Sequence, residues 1–243
     1  MDMREQEAQW ERLAPGVVRR RLPGWDATVG LVAGGQGALL YDTGSTLREG
    51  ARVRKEAEAL LGRRVTHIAL SHPHFDHVLG MGVFAGVEVF ASAGMDTLLT
   101  GQRESLADDA VRQGVPADAA AEASELLRAP HHLVFDERTL DLGGGRSVLF
   151  ANLGPAHSSH DLVALVPGAE GGPDVVFCGD LVEESGEPQA GPDAVAARWP
   201  EALDRLLALG GEHAVYVPGH GAAVDAAFVR AQRDALARRF GVS

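Results

Sequence analysis

Apolar and polar positions alternate with two different periods along this chain. Val17–Arg21, Thr28–Ala33 and Ala38–Asp42 are strand-type runs separated by glycine-rich turns, which predicts strands joined by hairpin-like connections. "LREGARVRKEAEALLG" instead places Val53, Ala57, Leu60 and Leu61 on one helical face, with Gly62 at its end. "VTHIALS" reads as a short buried strand, and "VEVFAS" as another. Residues 94–130 are rich in alanine and charge; they predict helices interrupted by Pro116 and closed near Pro130, an insertion or lid and not a separate domain. Strands return at "HHLVF", "RTLDL", "RSVLFAN", "LVALVP" and "DVVFCG". A helix follows with Val195, Trp199, Leu203 and Leu206 on one side, then the strand "AVYVPG" and a last helix, "DAAFVRAQRDALARRF". Residues 1–14 read as a polar lead-in with a short helix. Strands dominate each half and each half ends in a helix, a pattern that suits two sheets packed face to face with helices outside, in a single domain over 1–243.

Composition narrows the function classes. The chain has 243 residues, with 34 acidic against 22 basic side chains and a formal charge of -12. A general phosphate-backbone binder needs a basic surface, so nucleic acid is not expected as a partner. Cys178 is the sole cysteine, which excludes an intrachain disulfide and a thiolate zinc cluster. The start, "MDMREQEAQWERL", is charged and has no apolar run of the secretory kind. No segment is apolar for long enough to span a membrane. The expectation is a cytoplasmic protein acting on a small molecule, as a monomer or homodimer.

One stretch changes the picture. "SHPHFDH" puts His72, His74, Asp76 and His77 within six positions, too many ligand-type side chains for a packing element. Three further positions share its context, a buried run followed by a turn and then a ligand-type residue. They are His157 in "LGPAHSSHD", Asp180 in "VVFCGD" and His220 in "VYVPGHG". Loops at the ends of sheet strands commonly build sites, because the scaffold fixes their bases. Imidazole and carboxylate suit zinc, iron and similar divalent ions. Residues two apart in an extended segment point the same way, so His72 and His74 can grip one ion. Asp76 and His77 are adjacent, must be splayed by a turn, and suit a second.

Taken together, "HPHFDH", the histidine of "GPAHSSHD", the aspartate of "FCGD" and the histidine of "PGHG", with "YDTG" upstream, resemble the metallo-β-lactamase superfamily over about residues 15–240. The resemblance implies an α/β fold, an αββα sandwich of two mixed sheets with helices on both outer faces and metals at one edge. It assigns His72, His74 and His157 to a first ion, Asp76, His77 and His220 to a second, and Asp180 to a bridge. The cofactors expected are two zinc ions, with iron or manganese as alternatives. A metal-bridging hydroxide would be the nucleophile, with Asp76 orienting or deprotonating it.

Weaker candidates have competing readings. Asp42 of "YDTG" either supports the ligands or is an ordinary turn aspartate. Asp161 either orients the His157 loop or caps the next strand. His160 stands where many relatives have glycine; it reads first as a partly exposed loop histidine, and second as a donor to a leaving group or substrate carboxylate. Trp25 reads as a strand-end aromatic or as an apolar wall of the substrate pocket. Arg19–Arg21 reads as surface charge.

The reaction expected is hydrolysis of a small ester, lactone, thioester, amide or phosphoester. With 23 residues after His220, a glutathione-binding helical domain of the glyoxalase II kind is not accommodated. Aspartate at 180, where dedicated lactamases carry cysteine, leaves β-lactam hydrolysis as a weak, promiscuous alternative. A mononuclear iron persulfide dioxygenase and a non-catalytic metal-bearing binding module complete the alternatives.

Overall fold

The computed structural model describes residues 10–169 and 171–242. Its layers follow from the twofold alternation of strand side chains. In β3 (Thr28–Ala33), Val29 and Leu31 enter one core and Val32 the opposite one. In β10 (Leu162–Val166), Leu162, Ala164 and Val166 enter the middle core and Val163 an outer one. Strands apolar on both faces must be covered on both faces, and that requirement dictates four layers.

The first sheet runs in the order β1 (Glu11–Ala14), β2 (Val17–Arg21), β3, β4 (Ala38–Tyr41), β5 (His67–Ala69), β6 (Glu88–Ser92) and β7 (His132–Val134). It is antiparallel as far as β4 and parallel from there to β7. The second sheet runs β12 (Val215–His220), β11 (Val175–Glu183), β10, β9 (Arg146–Asn152) and β8 (Glu137–Gly143), with β11 and β12 parallel and the other pairs antiparallel. Val32, Leu39, Tyr41 and Phe90 of the first sheet meet Val148, Phe150, Leu162 and Phe177 of the second between the layers. Gly30 makes the approach possible, since a Cβ there would stand 2.3 Å from the Phe177 ring.

Helices cover the outer faces. On the first sheet lie α1 (Leu47–Leu61), the one-turn α2 (Phe75–Val78), α3 (Met95–Gly101), α4 (Arg103–Arg112) and α5 (Ala117–Glu125), through Val53, Val78, Leu99, Leu106 and Ala120. On the second lie α6 (Trp199–Gly210) and α7 (Ala226–Phe240), through Trp199, Leu203, Leu206, Val229 and Leu236. The fold is therefore an αββα sandwich of two mixed sheets. Thr46 caps α1 by accepting from the Glu49 N–H, and Gly62 ends it in the left-handed conformation. No helix among the described residues is long and apolar enough to cross a membrane.

Several elements depart from the pattern reading. The expected short helix in residues 1–14 falls partly on residues 1–9, which lie outside the described residues, while residues 11–14 form β1, paired to β2. Leu60 and Val195 are exposed, so neither belongs to the buried face assigned to it. Glu56 takes a place on the buried face of α1 instead, because it pairs with Arg20 of β2. Arg19 and Arg20 are accordingly buried, not surface charges; Arg19 binds Glu11 and the Gly221 carbonyl. β11 continues past Gly179 to Glu183 with shifted register, so Asp180 sits within the strand and not beyond its end.

Candidate metal centre

Four chain segments deliver the motif residues to one edge of the sandwich. β5 feeds Ser71 and His72, and α2 carries Asp76 and His77 in a single turn that splays the adjacent side chains. The segment after β9 brings His157, β11 carries Asp180, and β12 ends on His220. Gly219 must be glycine for this arrangement, because a Cβ there would lie 1.8 Å from Asp180 Oδ1.

Two sets of ligand-type atoms result. In the first, His72 Nε2 and His157 Nε2 each lie 3.1 Å from His74 Nδ1, and Asp180 Oδ2 lies 3.6 and 3.5 Å from the first two. In the second, His220 Nε2 lies 3.4 Å from His77 Nε2 and 3.4 Å from Asp76 Oδ2. Asp180 reaches this set too, with Oδ1 3.2 Å from His77 Nε2 and Oδ2 3.3 Å from His220 Nε2. All seven sequence candidates therefore meet, in a four-membered and a three-membered set joined through Asp180, and Glu183, which the sequence reading did not single out, forms a further set with Asp180 and His220.

The geometry suits divalent ions. Zinc–nitrogen bonds are about 2.0–2.1 Å, so a tetrahedral shell has edges of about 3.3–3.4 Å, close to the separations above. Three imidazole nitrogens converge in the first set, and a single proton cannot satisfy three lone pairs. Asp180 Oδ1 is buried without an aligned hydrogen-bond donor, a position that a cation would satisfy.

Electrostatics divide the imidazoles. Burial pushes His72 well below the usual histidine range and His157 down to about 4, so both present neutral nitrogens. Burial also opposes charge on His77 and His220, but the nearby carboxylates outweigh it. Asp180, Asp76 and Asp42 raise His77 well above its ordinary value, and Asp180 with Asp76 raises His220 to about 9. Asp180 is driven well below the carboxylate range, against its burial, by His77, His220 and His72. Burial opposes charge on His74 too, but its bond to Asp193 raises it above its ordinary value, and a field that favours protons on His74, His77 and His220 is one in which cations exchange with them.

The supporting contacts reach further. Asp42, buried at φ +63°, accepts the Ser71 N–H at 2.8 Å through Oδ1 and bonds His77 Nδ1 at 2.9 Å through Oδ2. Aspartate tolerates that left-handed backbone better than most residues. Asp161 accepts the Ala156 and Ser158 N–H groups and the Ser158 hydroxyl, closing the loop that carries His157; burial raises its carboxyl to about 7. Trp199, fully buried with its indole N–H on the Leu181 carbonyl, stands edge-on to His157 at 5.1 Å. Trp25 lies at a cavity mouth and on the sheet end at once. Its ring packs on Phe75 at 5.3 Å, it lines a cavity beside His220, and its carbonyl accepts from His220 Nδ1 at 2.7 Å.

His160 is placed differently from its catalytic reading. Its ring stands against Gly94, where a Cβ would come within 2.4 Å, and it does not line either cavity beside the cluster. It is the half-buried loop histidine of its plainer reading. Conversely, Asp193 was missed. It bonds His74 Nε2 at 3.2 Å from 119 positions away. The only signal was an aspartate after Gly–Pro in a turn-rich stretch.

Two cavities open from the cluster. The larger, about 540 Å³, is lined by His74, Asp76, His157 and Asp180 on one side and by Leu98, Gln102, Ser105 and Leu106 of the α3–α4 region on the other. The smaller, about 260 Å³, lies between Trp25, His220, Glu183 and Gln189.

A four-layer sandwich with a histidine–aspartate cluster at one edge defines a candidate metal-binding architecture. The profile of the metallo-beta-lactamase superfamily matches residues 22–220, and the chain belongs to that superfamily. Among solved structures, a metallo-beta-lactamase from Pontibacter korlensis is 22% identical with a TM-score of 0.71, covering 93% of this chain and 97% of that one. The DIM-1 metallo-beta-lactamase is 15% identical with a TM-score of 0.72, covering 95% and 97%. The metallo-beta-lactamase FIM-1 from Pseudomonas aeruginosa, in a mono-zinc form, is 18% identical with a TM-score of 0.69, covering 96% of each chain. At these identities the likeness is one of fold.

Proposed function

We propose that this protein is a hydrolase that binds two zinc ions and cleaves a small ester, lactone, thioester, amide or phosphoester. The single observation that carries the reading is the pair of ligand sets sharing Asp180, with edges of the length a zinc shell requires. His72, His74 and His157 would hold one ion, Asp76, His77 and His220 the other, and Asp180 both. Bound there, the ions would supply hydroxide near neutral pH and polarise the electrophilic oxygen.

The chain's own residues do the rest. Asp42 and Asp193 fix the orientation of His77 and His74 by taking their second ring nitrogens. Asp161 fixes the loop of His157. Asp76, which lines the larger cavity, would orient the nucleophile as well as ligate. α3 and α4 form one wall of that cavity, which supports the role of residues 94–130 as a substrate enclosure. Trp25 supplies an apolar wall of the smaller cavity.

The test is a panel of small esters, lactones, thioesters, amides and phosphoesters, with metal content measured on the same sample. Hydrolysis abolished by chelation and restored by zinc supports the proposal. One iron per chain with oxygen uptake, or a metallated protein inert to the whole panel, refutes it.

A further inference from the structure

The charges around the two cavities are unequal, and nearly all of them are accounted for. Asp76 and Asp180 belong to the ligand sets, and Asp193 is bonded to His74. At the rim, Asp109 pairs with Arg112 at 3.1 Å, and Glu187 pairs with Arg239 at 3.3 Å. The remaining carboxylate is Glu183, which forms a further ligand-type set with Asp180 and His220. It lines the smaller cavity, and no arginine or lysine lines that cavity among the described residues.

Glu183 is also held in place. It lies three positions after Asp180 on β11 and is in register with His220. A carboxylate oxygen lies within 4.8 Å of ligand atoms on Asp180 and His220. Its Oε1 accepts from the Ser185 N–H at 3.0 Å and the Ser185 hydroxyl at 2.6 Å, so the group is anchored and does not wave in solvent. A molecule reaching the histidine–aspartate cluster beside Trp25 passes this fixed carboxylate. In a partly desolvated pocket a like charge there is repelled and an opposite charge is attracted more strongly than in water.

We propose that Glu183 determines specificity: the substrate carries a protonated amine or a guanidinium beside the scissile group, and no carboxylate at that place. The location of the scissile group rests on the metal-hydrolase reading above; the charge selection rests on Glu183 itself.

The test uses hydroxamic acids, which anchor on bound zinc without being turned over. Three matched compounds bear an ammonium, a neutral isostere or a carboxylate at the same position. Their binding to the zinc-loaded full chain is measured by calorimetry at about pH 8, above the ordinary carboxylate range. Wild type is expected to bind the ammonium compound at least about tenfold more tightly than the neutral one, and the carboxylate compound more weakly still. Glu183→Gln is expected to collapse that spread, and Glu183→Lys to invert it. The proposal is overturned if wild type favours the carboxylate, if Glu183→Gln leaves the spread unchanged, or if Glu183→Gln loses zinc, which would make Glu183 a ligand. If the ranking holds while every ester is inert, the reaction proposed above is wrong and the charge selection stands.

Discussion

Asp42 and His77, 35 positions apart, share a buried hydrogen bond of 2.9 Å, and the same carboxylate holds the backbone of Ser71. One residue thus fixes both ends of the segment that carries His72, His74 and Asp76. Asp42→Asn keeps a side chain that tolerates φ +63° and can still accept from Ser71. It removes the charged acceptor of His77 Nδ1. The expected result is about 10- to 100-fold weaker zinc binding in a chelator competition. An unchanged affinity would show that the contact does not tune the ligand.

Gly219 faces Asp180 so closely that a methyl group would overlap Oδ1 at 1.8 Å. Gly219→Ala must therefore displace the carboxylate shared by both ligand sets. Zinc binding should weaken for both ions together, while far-ultraviolet circular dichroism stays that of the wild type. Loss of one ion with normal retention of the other would contradict the shared role of Asp180.

Arg20 and Glu56 form a buried ion pair that ties β2 to α1. Removing one partner strands a charge in the core, and burial already pulls Arg20 down to about 10, with Arg52 adding to the effect. Glu56→Ala is expected to cost about 3–5 kcal/mol in denaturant unfolding. Arg20→Met with Glu56→Leu should recover most of that loss, since apolar replacement of a buried pair is often neutral or better. If the double variant is as unstable as the single, the pair contributes more than compensation of its own burial.

These relationships show what the sequence made legible. Period-two runs at Thr28–Ala33 and Arg146–Asn152 mark strands because strand side chains alternate between layers, and the structure has strands with those bounds. The seven cluster residues were legible because each follows a buried run, and parallel or adjacent strands bring such ends to one edge. Asp193 was not legible, because a hydrogen bond across 119 positions leaves no local pattern. Glu56 was hidden for a related reason. Apolar periodicity counts hydrophobic residues, and a buried carboxylate matched by Arg20 looks like a break in the helix face. Residues 11–14 misled because their polar side chains are those of an edge strand, exposed on much of its surface.

Leu106 on α4 packs into the core under the larger cavity and also lines it. Leu106→Ala should cost about 2–4 kcal/mol if its site cannot collapse. Under the proposed function it should also raise KM more than it lowers kcat, because the wall it trims binds ground state and transition state alike. An equal fall in kcat with KM unchanged would place α4 outside the substrate enclosure.

The most direct measurement is the zinc content of the full chain, by elemental analysis after reconstitution and removal of free metal, for wild type, His157→Ala and His220→Ala. Two sets joined at Asp180 predict two zinc ions per wild-type chain and close to one in each variant, the survivor differing between them. A wild-type chain that takes up one ion only, or a His220→Ala variant that loses nothing, would contradict the division of the cluster into two sites.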